Sequence, residues 1–209
     1  MDLTVSSYRP QQPAFKGFWN PSATRACQEA LGERLSTVMT DAVTKQVSGA
    51  SAYVETIEKH NMAVDRLDAF VKALPENVGI CSGEGSDAVF KFVVNDGAGN
   101  LTFLPTTGLF EKVSVKDAFD AIQLVSHKLT TEFKPIDVVN SLLTKMMTEP
   151  TVVNGRQITL RPRKAILESA EKFAKENGAM DTFEHLKANT ADQESAFVSE
   201  YRALQELLH

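Results

Sequence analysis

The sequence predicts a helix-dominated α+β protein: an N-terminal antiparallel helix pair, two β-hairpins at about residues 88–105 and 151–161, and further helices toward the C-terminus. Three observations lead there. Apolar residues recur at spacings of three, four and seven between Ala26 and Val47, and again between Val54 and Leu74, which is the period of a helix with one buried face. In AVFKFVVN (88–95) the period changes to two, as a half-buried strand requires. In TVVNGRQITLR (151–161) the pair Asn154-Gly155 lies between β-rich arms, the strongest short signal for a two-residue hairpin turn. The order of these elements contains no long strand–helix–strand unit, which argues against a doubly wound parallel sheet.

The elements follow in chain order. Residues 1–20 form an extended N-terminal arm, expected to be partly disordered, because Pro10, Pro13 and Pro21 oppose helix up to Asn20. Asn20 stands where an N-cap belongs, with Pro21 at the first helical position. The remainder, 21–209, is expected to form a single α+β domain. Its first helix is predicted over 21–47, with Cys27, Leu31, Leu35, Val38, Met39, Val43 and Val47 on the inward stripe. The second spans 51–74, with Val54, Ile57, Val64, Leu67 and Val71 inward, until Pro75 stops it. A short loop, SGAS (48–51), makes the two an antiparallel pair.

Phe90, Phe92 and Val94 then share one strand face, with Phe103 of the next strand expected to join them; VGICS offers a third strand. Ser114 with Asp117 reads as a capping box for a helix over 115–130. Pro135 seeds another over 135–148, closed by Pro150. Pro162 seeds a helix to Glu176, which Asn177-Gly178 ends. Asp181 with Glu184 is expected to cap a sixth helix, and Thr190 with Gln193 a seventh.

Composition limits the function classes. The net charge of −5 comes from 27 acids against 22 Lys and Arg, which argues against a general nucleic-acid binder; the basic run 156–164 is too short to reverse that. Two cysteines, Cys27 and Cys81, make no disulfide framework and indicate free thiols in a reducing compartment. No apolar run reaches the length of a membrane helix and no cleavable signal peptide is visible, so the chain reads as cytoplasmic. The polar, Ser-containing leader also suits export by a route that cleaves no signal, as for a bacterial effector.

The sharpest catalytic candidate is Gly79-Ile80-Cys81-Ser82-Gly83, a nucleophile flanked by small residues, with His127 as base. Those glycines would let the thiol stand clear of the backbone. The context opposes this reading, because a helix and Pro75 precede the motif and a β-rich run follows. On that alternative the protein is a small cysteine-dependent hydrolase or transferase. Gly83-Glu84-Gly85-Ser86-Asp87 lacks the lysine of a phosphate loop. No motif with metal-ligand spacing occurs; His60 is expected half-buried and hydrogen-bonded on a helix flank, and neither metal nor cofactor is called for.

The arm is more telling. Phe15, Phe18 and Trp19 bunch within five residues, with Arg9 beside a PxxP unit. Each ring buries roughly 150–250 Å² when docked, so the three are expected to clamp onto the helix pair or onto a partner. The reading is therefore a non-enzymatic protein-interaction module, an adaptor or accessory protein. Its partner is another protein or a second copy, with no membrane and no nucleic acid.

Overall fold

Asn20 and Pro21 start the first helix as their chemistry dictates. The Asn20 side chain accepts a hydrogen bond from Ser22 N at 3.0 Å, and Pro21, which has no N–H to lose, takes the first turn. A computed structural model describes residues 16–83, 89–95, 100–106, 109, 115–148, 151–153, 156–158 and 163–189. Helix α1 spans Pro21–Lys45 and ends at Gln46, whose left-handed φ of 52° lets the following N–H, of Val47, donate to the Ala42 carbonyl at 3.0 Å. Four residues on, α2 runs Ala50–Lys72 and folds back against α1.

The chain then builds a sheet. Strands β2 (Val78–Ser82), β3 (Phe90–Asn95) and β4 (Asn100–Pro105) form an antiparallel meander. Helices α3 (Ala118–Thr131) and α4 (Pro135–Thr148) follow, then β5 (Thr151–Val153) and β6 (Arg156–Ile158), α5 (Arg163–Glu176) and a helical segment α6 at 180–189. Pairing of β4 with β5 joins the two hairpins into one sheet of six strands among the described residues, in the order of their sequence. The fold is thus helix-dominated α+β.

One apolar core ties the layers together. Val78, Ile80, Phe90, Phe92, Val94 and Leu104 of the sheet meet Leu67, Val71, Ile122, Leu142 and Phe173 of four helices. Phe90 and Phe92 are fully buried, and each such side chain contributes about 1.5–3 kcal/mol through burial. Register decides which residues enter. Phe92 pairs with Leu104 and Val93 with Phe103, and directly opposed residues share a face. Leu104 therefore takes the core position expected of Phe103, which is only half-buried.

Four further expectations need correction. The helix over 115–130 is capped by Asp117, which accepts from Asp120 N at 2.9 Å, not from a box opened at Ser114; Ser114 lies outside the described residues. Asp181 sits inside the first turn of α6, because the helix already starts at 180 with Phe183 N donating to the Ala179 carbonyl at 3.0 Å. The end of α1 and the start of α2 do not bury their stripes: Met39, Val43, Val47 and Val54 are exposed. Helix α1 is 25 residues long, about 37 Å at 1.5 Å per residue, while α3 beside it has 14 and covers only part of that length. Finally, residues 16–20 dock on the edge of the sheet and not on the helix pair alone. They form a two-residue edge strand, β1 (Phe18–Trp19), parallel to β2. Residues 1–15, the Asn154-Gly155 turn and the expected seventh helix lie outside the described residues.

Candidate functional site

Two glycines make room for the β1 strap. A Cβ on Gly17 would lie 2.2 Å from the Val71 carbonyl oxygen, and one on Gly79 would lie 2.5 Å from the Phe18 ring. With no Cβ at either place, Gly17 N donates to the Leu74 carbonyl and Asn20 N to the Ile80 carbonyl, both at 2.9 Å. Gly79, read from sequence as half of a nucleophile's flank, is thus the seat of an aromatic ring.

The strap presents its rings differently. Trp19 is half-buried, packs on the core, and meets Phe90 edge-on with centroids 6.2 Å apart. Its indole also walls one end of a groove between α1 and α2. Phe18 remains 38% exposed on the seat made by Gly79. Arg9 and Phe15 lie outside the described residues. Of the four arm residues singled out for binding, the two that are described are held by the chain's own sheet edge.

The catalytic candidates do not meet in hydrogen bonding among the described residues. The Cys81 thiol is half-buried and donates to the Lys91 carbonyl, with Sγ 3.5 Å from the oxygen. Burial pushes its pKa up, against a smaller opposing pull from Lys91, whereas an activated nucleophile needs a lowered one. His127 stands exposed on α3, where its carbonyl oxygen accepts from Thr130 and Thr131. Cys27 is buried against α2, and desolvation raises its thiol pKa to about 11.

A second aromatic constellation joins three helices. Arg34 of α1 bridges to Asp117 at 2.7 Å and Asp120 at 2.6 Å, at the N-terminus of α3. Its guanidinium lies 4.8 Å from the Phe119 ring centroid, and Phe119 stacks on His60 of α2, 6.0 Å away at 23°. His60 is therefore buried beneath α3, only 5% exposed, and its Nδ1 has no hydrogen-bond partner. This corrects the half-buried, hydrogen-bonded histidine expected from sequence, since a single helix's period does not show what a third helix will cover. Among the described residues, no group of three or more His, Cys, Asp or Glu could hold a metal ion, and no helix is long and apolar enough to cross a membrane.

The surface that sequence reasoning missed is the tip of the α1–α2 hairpin. Around its turn Val43 is 75% exposed, Val47 60%, Val54 54% and Met39 48%. Thr37, Thr40 and Thr44 beside them turn their hydroxyls back to carbonyls four residues earlier, at 2.8–3.1 Å, which satisfies the polar atoms within the helix. The nearby charges are paired along their own helices, Lys45 with Asp41 at 3.1 Å and Lys59 with Glu55 at 2.6 Å. The tip is thus apolar and electrically balanced. The signal that could have found it was the length of the apolar stripe, which outruns the helices available to cover it.

Comparison of the chain with protein-family models, with curated proteins and with solved structures found no match.

Proposed function

We propose that the chain is a non-enzymatic protein-interaction module, and that its contact surface is the tip of the α1–α2 hairpin, which meets a second copy of the chain. The observation that carries this reading is the exposed stripe of Met39, Val43, Val47 and Val54 at spacings that normally mark a core. Contiguous apolar exposure of that kind marks interaction surfaces. A second copy is favoured over a charged partner because the flanking ions are neutralised within each helix. A two-fold contact places the same patch on both sides, so the patch must be compatible with itself. Apolar stripes without net charge meet that condition, and two hairpins side by side form a four-helix arrangement.

Sedimentation velocity tests the reading. The wild-type chain is expected to sediment as a dimer at micromolar concentration. The double substitution Val43→Glu and Val47→Glu is expected to give a monomer with unchanged far-UV circular dichroism. Those side chains are mostly exposed, so stability should stay within about 0.5 kcal/mol of wild type. A wild-type chain that remains monomeric at about 100 μM, or a double variant that dimerises equally, would refute self-association through the tip.

A further inference from the structure

The sheet carries a second apolar row on the face turned away from the core. Ile80, Phe92 and Leu104 pair across β2, β3 and β4 and belong to the core that the helices share. Gly79, Val93 and Phe103 pair in the neighbouring row, and successive residues of a strand point to opposite faces, so this row looks outward. The Phe18 ring lies where a Cβ of Gly79 would stand, which places Phe18 in the same row. None of Phe18, Val93 and Phe103 belongs to the core. Val93 is nevertheless only 6% exposed, set between the two phenyl rings across the strands. Leu101, two residues before Phe103, continues the row and is exposed. The outward positions of β2, β3 and β4 hold one charge, Lys91, and no acid.

A contiguous apolar face of this kind calls for a cover, and the chain's own leader starts at its corner. Strands β1 and β4 both run in the direction of β2, so Lys16, two residues before Phe18, enters the sheet at the level of Leu101. Fifteen residues precede Lys16, among them Tyr8, Pro10, Pro13 and Phe15. Their chemistry matches the face. A PxxP unit favours the polyproline II form, which docks on aromatic-lined surfaces at little entropic cost, and its prolines bring no N–H to leave unpaired. The lengths match as well. From β1 to β4 is three strand spacings, about 14 Å, and the five steps from Phe15 to Pro10 advance about 16 Å in polyproline II.

We propose that residues 10–15 lie across this outer face, with Phe15 beside Val93 and with Pro13 and Pro10 against Phe103 and Leu101. The face is separate from the hairpin tip, so this docking stands whether or not the tip self-associates.

Nuclear Overhauser spectroscopy on the isotope-labelled full chain tests it. Contacts are expected from Pro13 and Phe15 to the Val93 methyls and the Phe103 ring. An isotope-filtered experiment on mixed labelled and unlabelled chains is expected to show none of them between copies. A double-mutant cycle supplies an independent readout. Its arms are Phe103→Ser and the combined arm substitution Pro10→Ser, Pro13→Ser and Phe15→Ser. Each is expected to raise the unfolding equilibrium constant, and together they should raise it at least about threefold less than the product of their separate effects, since groups that do not touch multiply to within about twofold. Absence of arm contacts with Val93 and Phe103, contacts that arise only between copies, or effects that simply multiply would each overturn the proposal.

Discussion

Replacing Gly17 with alanine probes the strap at its least forgiving point. The added Cβ would lie 2.2 Å from the Val71 carbonyl oxygen, 2.8 Å from Leu74 Cβ and 2.9 Å from the Val78 carbonyl oxygen. Two of these three neighbours are backbone atoms that end α2 and begin β2, so they have little room to yield. The strap itself can yield by lifting away from β2. Overpacking a close-fitted site costs about 1–3 kcal/mol, and the loss cannot exceed what strap docking contributes, since undocking relieves the clash. Gly17→Ala is therefore expected to destabilise by about 1–3 kcal/mol, and a chain of this size shifts its Tm by about 2–4 °C per kcal/mol. Lifting the strap also withdraws Trp19 from Phe90. Native-state fluorescence should move to longer wavelength while far-UV circular dichroism keeps its helical signal. Gly32→Ala provides a control of opposite sign. Gly32 lies inside α1 with nothing within 4 Å of its added Cβ, so alanine should stabilise by about 0.5–1 kcal/mol through helix propensity. Equal stability and equal emission in Gly17→Ala and wild type would refute the claim that the glycine permits the strap.

The buried titratable groups supply two more expectations. Cys27 has a folded pKa of about 11 against an ordinary 9.0, so the unfolded chain loses this proton first. Its stabilising contribution is complete below pH 9 and decays by up to about 3 kcal/mol as pH rises to 11, a slope that Cys27→Ala should remove in chemical denaturation series. His60 has the opposite sign. Its pKa lies below 6.5 through desolvation, so the unfolded chain takes up a proton first as pH falls, and stability is lost on descending through 6.5 toward the folded pKa. His60→Gln should flatten that part of the stability profile relative to wild type; an unchanged slope would show that the imidazole is not the group responsible.

The sequence made the helices readable because their ends are chemical events. Pro21, Pro75 and Pro135 sit at boundaries that backbone sterics enforce, and Gly178, with φ of +68°, takes the left-handed turn that ends α5. Pairing between distant segments was not readable. Strand β1 has two residues, too few for any period, and its partner Gly79 lies some sixty positions along the chain. The same holds for His60, whose stacking on Phe119 depends on how α3 crosses α2. Periodicity marks the apolar side of a helix without saying what covers it. For that reason the stripe from Met39 to Val54 pointed to a core, although Met39, Val43, Val47 and Val54 are all solvent-exposed. The candidate site was legible as a set of residues and illegible as a surface. The thiol in Gly79-Ile80-Cys81-Ser82-Gly83 showed the converse: the residues suggested an elbow, but Gly79 serves the Phe18 ring and Cys81 bonds to a backbone carbonyl.

The most direct measurement is disulfide trapping at the hairpin tip. Val43→Cys places a thiol at the most exposed apolar position of the patch, and Met62→Cys places one at an exposed position farther along α2. Under the same mild oxidation, a covalent dimer is expected to accumulate rapidly for Val43→Cys and only slowly for Met62→Cys. Equal, slow cross-linking at the two positions would contradict it.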